Sequence, residues 1–148
     1  MPWYTSLGPD AVALFDRLFK RDPDRLPEKW LRVMCDNRSM VLWTADGCEI
    51  SPEVFGFAPA VIERMDGWQK RYDTYFPEDP DVPKWRDQDW HAFSQEGLEI
   101  AILVKKHLPD WTIVYHDELR IMVERSTNRS YYQYEISAEV VNTGQRPR

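Results

Sequence analysis

Three residues of this chain have the types needed for thiol chemistry: Cys35, His116 and Asp117. A cysteine attacks as its thiolate, a histidine can take the proton, and a carboxylate can hold the imidazole in one tautomer. Neighbouring strands would have to bring Cys35 beside His116, and nothing in the spacing sets that distance. A small buried residue on a strand and a histidine near a strand end account for the same pair, because unmodified cysteine is most often core. No basic or helix-N-terminal neighbour is placed to lower the thiol pKa, so Cys35 is read as non-catalytic. The Cys/His/Asp enzyme stays as the alternative. His91, His107 and His116, with Asp117 and Glu118, are metal-ligand types without ligand spacing, and no metal is predicted. The chain also lacks a phosphate-binding glycine loop, a dinucleotide fingerprint, a His-Glu-x-x-His and a Cys-x-x-Cys, so no cofactor is predicted.

A sharper pattern is acidic. Glu78, Asp79, Asp81, Asp87 and Asp89 stand against Lys84 and Arg86, a local charge of −3 across residues 77–89 and half of the net −6. Pro77, Pro80 and Pro83 make this stretch an extended loop and restrict it before any partner orders it. Trp85 lies in its middle, either as an interface anchor inside a steering field or turned inward to pin the loop. Glu78, Asp79, Asp81, Trp85, Asp87 and Asp89 are therefore the candidate partner-binding residues.

The whole chain is acidic, with a pI near 5.1, which argues against generic binding to nucleic acid through Lys and Arg. Residues 119–148 hold five Arg against three Glu, a charge of +2, so residues 1–118 carry −8. An acidic body of this kind fits a protein partner, such as a basic toxin or enzyme, through complementary charge and fast association. No stretch approaches the roughly 20 apolar residues needed to span a bilayer, and Met1-Pro2-Trp3-Tyr4 lacks the regions of a secretory signal. The expectation is a cytoplasmic protein, with no membrane partner and with Cys35 and Cys48 as free thiols. No residue pattern sets an oligomeric state.

The elements that must position these residues centre on Trp85–Glu118. In Asp89–Leu108, the residues Trp90, Phe93, Ile100, Ala101, Val104 and Leu108 recur at three- and four-residue intervals, one stripe of an amphipathic helix. Gly97 lies within it and predicts a close approach, since a helical glycine costs about 1 kcal/mol relative to alanine. Pro109 ends the helix and releases Trp111–Tyr115 as a strand. A second helix opens at Pro59 and runs over Ala58–Phe76 with the stripe Val61, Met65, Trp68, Tyr72 and Phe76. Upstream, Trp30–Asp36, Met40–Thr44 and Cys48–Ile50 read as a small antiparallel meander, followed by a single helical turn at Ser51–Val54. A short first helix is predicted at Ala11–Phe19. Downstream, Leu119–Glu124 and Tyr132–Ile136 read as a hairpin closed at Thr127-Asn128-Arg129, and Asn142–Arg148 as a frayed tail. The predicted class is α+β: one globular domain over residues 1–148, a mainly antiparallel sheet with two long helices packed on one face.

Several of these runs carry a resemblance. Met34-Cys35-Asp36, Trp43 with Asp46-Gly47 and Ser51-Pro52, Trp68-Gln69-Lys70-Arg71-Tyr72-Asp73, Phe93 with Glu96-Gly97, Leu108-Pro109-Asp110-Trp111 and Tyr115-His116-Asp117-Glu118 resemble a group of small bacterial proteins. Some proteins of that group are similar in size and acidity to the immunity partners of bacterial toxins. The resemblance covers roughly residues 30–118 and implies a bacterial source and one globular domain. It carries over no catalytic residue.

Overall fold

A computed structural model describes residues 8–10, 13, 29–75, 81 and 83–148. The predicted first helix lies almost wholly outside them, as do Glu78 and Asp79.

Alternation builds the sheet. In β1 (Trp30–Val33) and β4 (Thr112–His116), Leu31, Val33, Ile113 and Tyr115 point to the same side and are almost completely buried. β1 begins the predicted meander with β2 (Leu42–Trp43) and β3 (Glu49–Ile50), each antiparallel to its neighbour. β5 (Gln133–Glu135) lies antiparallel on the other edge of β4, giving the order β3-β2-β1-β4-β5. β1 and β4 run parallel, Trp30 facing Thr112 and Val33 facing Tyr115, because the intervening chain crosses over the sheet through both long helices.

Those helices are α1 (Pro59–Tyr75) and α2 (Asp87–His107). Proline at the first position of α1 costs no hydrogen bond. α2 starts two residues before the expected Asp89, because the Asp89 carboxylate accepts the backbone N–H of Arg86 at 2.8 Å. It ends at His107, just before Leu108-Pro109, where Lys105 turns its ammonium onto the carbonyls of Pro109 and Trp111 at 3.1 and 2.6 Å. Both helices cover one face, as the α+β reading requires, and rings fill the space between. Trp68 stacks on Phe93 at 4.9 Å between centroids, and its indole N–H donates to the Phe93 carbonyl at 2.9 Å.

Gly97 stands where the rings meet. A Cβ there would lie 2.8 Å from Tyr115 Cζ and closer still to the Tyr115 hydroxyl and Trp68 Cζ2. Tyr115 donates its hydroxyl to the Ser94 carbonyl at 2.9 Å. Both rings thus fasten to carbonyls of α2 one turn before Gly97, and the missing side chain is what admits them.

Past β4 the structure departs from the sequence reading. Leu119–Glu124 forms no hairpin strand: Asp117 caps α3 (Glu118–Met122) by accepting the Leu119 N–H, and Asn128 caps α4 (Arg129–Tyr132) by accepting that of Ser130. The alternation at Leu119, Ile121 and Val123 lost to a helix cap, and only Gln133–Glu135 pairs, on the free edge of β4. The tail is likewise not frayed. Ser137 caps α5 (Ala138–Thr143), Gly144 closes it in the left-handed region at φ +68°, and Arg146 and Pro147 are tied back to the core.

Candidate functional site

The three residues of the thiol reading lie at one end of the sheet without forming a relay. Continuing the β1–β4 register sets Cys35 level with Asp117. Asp117 is wholly buried, and its carboxylate turns away from His116. Oδ1 accepts the Ser94 hydroxyl and the Leu119 N–H; Oδ2 accepts the Tyr134 hydroxyl at 2.8 Å and Arg146 Nε at 2.9 Å. A carboxylate has about four lone-pair sites, and all are filled. His116 is engaged on both ring nitrogens, Nδ1 with Gln133 at 2.8 Å and Nε2 with Glu118 at 3.2 Å. Burial pushes the Cys35 thiol well above its usual pKa, with the negative charges of Glu118, Asp73 and Asp36 adding to the shift. Cys35 therefore carries a proton at neutral pH, the opposite of an activated nucleophile. Cys35 is buried, Cys48 exposed, and the two are not joined.

The Asp117 cluster binds the chain to itself. Arg146 also donates to Ser94 Oγ at 2.6 Å, and the buried Arg120 donates to the Tyr131 carbonyl at 2.7 Å with its guanidinium over the rings of Tyr131 and Tyr134. Burial presses the phenols of Tyr115 and Tyr134 upward in pKa, with the Asp117 charge next.

Among the described residues no three His, Cys, Asp or Glu side chains gather as a metal site. His107 instead packs on Phe57, 4.5 Å between centroids, and bonds the Phe55 carbonyl at 2.7 Å.

Of the acidic loop, Asp81 and Asp87 are exposed, while Asp89 serves the α2 cap. Trp85 turns inward: its ring lies 4.8 Å from Trp90, 5.4 Å from Phe93 and 5.6 Å from Tyr75, with the Arg71 guanidinium 5.6 Å over it. It pins residues 83–86 to both long helices.

A feature the sequence reading did not single out is a groove of about 630 Å³ between α1 and the β1–β2 and β3 side of the sheet. From α1 it takes Pro59, Ile62, Glu63, Met65, Asp66 and Gln69, which share a helix face at three- and four-residue intervals. Ser39–Val41 and Ser51–Glu53 form the opposite wall. Met40, 44% exposed, is the exposed large apolar residue among those described. The stripe rule selects residues turned to the core, so of this face of α1 it picks out Met65 and passes over the rest.

The fold is thus that of an acidic α+β protein in which the buried Asp117, Arg120 and Gln69 find partners within the chain, while among the described residues the buried Nε of Arg32 has no hydrogen-bond partner. Residues 29–118 match the model of a family described as Serratia CdiI immunity protein-like, and the chain belongs to that family. The matched stretch takes in β1–β4 and both long helices, and supports at the family level the immunity-like resemblance seen in the motifs. A comparison with curated proteins finds no significant match. No helix among the described residues is long and apolar enough to cross a membrane.

Proposed function

We propose that this chain is an immunity or inhibitor protein that binds a basic protein toxin in the cytoplasm and neutralises it by covering its working surface. The observation that carries the reading is the family match over the folded body of the chain. Charge supports it: residues 1–118 hold −8, and Asp81 and Asp87 stand exposed beside residues 83–86, which Trp85 fastens to the helices. In this reading Glu78, Asp79, Asp81 and Asp87 steer a basic surface toward the protein, and Trp85 acts by holding the loop in place.

The experiment is purification of the tagged chain from its native cell, followed by reconstitution. A basic protein should copurify, and the pure chain should abolish that protein's toxicity at equal stoichiometry. Replacing Glu78, Asp79 and Asp81 with amides should slow association at low salt and leave dissociation nearly unchanged. A partner that is acidic, or one that stays toxic with the chain bound, defeats the proposal.

A further inference from the structure

We infer that the groove between α1 and the walls at Ser39–Val41 and Ser51–Glu53 is a docking site for a basic segment of the partner protein, seated by an apolar side chain against Met40. The inference rests on the reading of the chain as a binder of a basic protein and names the surface used.

The groove has a floor and a charged rim. Val41 and Met65 are buried at its base, and Ile62 is partly exposed above them. Met40 reaches out on one wall, an adaptable thioether chain suited to a partner's side chain of uncertain shape. Glu53, Glu63 and Asp66 line the groove, and among the described residues no Lys or Arg does. Glu49 extends the acidic rim, its carboxylate accepting the Met40 N–H at 3.3 Å. A nearby cation, Lys70, pairs with Asp66 at 3.1 Å, but both side chains are about two-thirds exposed or more, so an arriving Lys or Arg can displace it at little cost. A volume of about 630 Å³ suits side chains of an inserted segment. An acidic segment would be repelled by the rim, and a purely apolar one would leave the rim carboxylates without partners.

The walls are held in shape before binding. Gln69, buried at the groove's end, donates to the Asp36 carbonyl at 2.6 Å and to Asp73 at 3.0 Å, and accepts from the Ser39 hydroxyl at 3.3 Å. Asp73 also accepts the Arg38 N–H at 2.9 Å, where Arg38 takes a left-handed φ of +53°. The β1–β2 turn is thereby tied to α1, so little ordering is lost when a partner arrives.

The test uses the full chain and a synthetic peptide, Lys-Leu-Lys-Ile-Lys-Leu-Lys, with an acidic twin carrying Glu for every Lys. Amide shift mapping should show the basic peptide perturbing Met40, Val41, Ile62 and Met65, and the acidic twin perturbing none of them. Met40→Asp, and separately the triple Glu53→Gln, Glu63→Gln and Asp66→Asn, should each weaken peptide binding roughly tenfold or more at low salt. Their unfolding midpoints should stay near the parent's, since the altered side chains are exposed. The same variants should lose protection against the copurified toxin. No binding by the basic peptide, perturbation centred elsewhere, or variants that protect as well as the parent each overturn the assignment. So does a dimer abolished by Met40→Asp, which makes a second copy the occupant, or a nuclear Overhauser contact from Met40 to residues 1–28, which makes the chain its own. Failure of the parent itself to neutralise the toxin strikes the proposed function instead and leaves the peptide result to decide the groove.

Discussion

Replacing Gly97 with alanine sets two effects of opposite sign against each other. Alanine in a helix interior is favoured over glycine by about 1 kcal/mol, so on propensity alone the variant should gain stability. Against this, the new Cβ would stand 2.8 Å from Tyr115 Cζ, where ordinary contact begins near 3.4 Å, and nearer to Trp68. Neither ring is free to yield. Trp68 and Tyr115 are buried and each donates a hydrogen bond of 2.9 Å into α2. Overpacking costs about 1–3 kcal/mol, and a shift that breaks one of those bonds adds about 1–3 more. The net expectation is destabilisation by roughly 1–5 kcal/mol after the helix gain is subtracted. Gly67 in α1 supplies the control, because a Cβ there would meet nothing within 4 Å. Gly67→Ala should stabilise by about 0.5–1 kcal/mol. Urea unfolding of both variants, followed by fluorescence at matched m-values, reads the difference. If Gly97→Ala raises the midpoint as Gly67→Ala does, the close packing of α2 on Trp68 and Tyr115 is wrong.

Three further outcomes are expected. Arg146→Met leaves the buried Asp117 without its cation and should cost about 3 kcal/mol, the low end for a broken buried pair because Arg146 keeps 24% exposure. Adding Asp117→Asn should recover part of that loss in urea unfolding, whereas strictly additive losses would mean the pair is not coupled. In a native thiol assay Cys48 should label at once and Cys35 only on unfolding, given its burial and raised pKa; rapid native labelling of Cys35 would reopen the enzyme reading. Burial raises the phenol pKa values of Tyr72, Tyr115 and Tyr134. Above the unfolded value of about 10 the unfolded chain has released protons that the native chain keeps, so stability falls as pH rises, by up to about 1.4 kcal/mol per unit for each group. Unfolding midpoints that do not drop between about pH 9 and pH 11 would contradict this burial.

Periodicity made the long helices, the meander and the proline stop after Leu108 legible in the sequence, since each depends on neighbours within a few positions. Gly97 was legible for the same reason, because a glycine kept in a strong helix points to a contact even before the contact is known. The acidic balance and the immunity-like resemblance, which the family match over residues 29–118 supports, likewise needed no coordinates.

Tertiary structure decided what depends on distant partners. Leu119–Glu124 alternates like a strand, but Asp117 turns its carboxylate inward to cap α3 and then requires a cation, and Arg146 supplies it from the segment expected to fray. No local pattern predicts that pairing, since a buried carboxylate and its cation are separated by 29 positions. Trp85 could face either way until Trp90, Phe93 and Tyr75 gathered around it. The groove at Met40 joins one helix face to two separate loops, so it exists only once the chain has closed on itself. Burial and charge pairing act through space rather than along the chain, which is why the sequence by its periodicity set the long helices and the meander, while the elements after β4 and the surfaces were decided only by the fold.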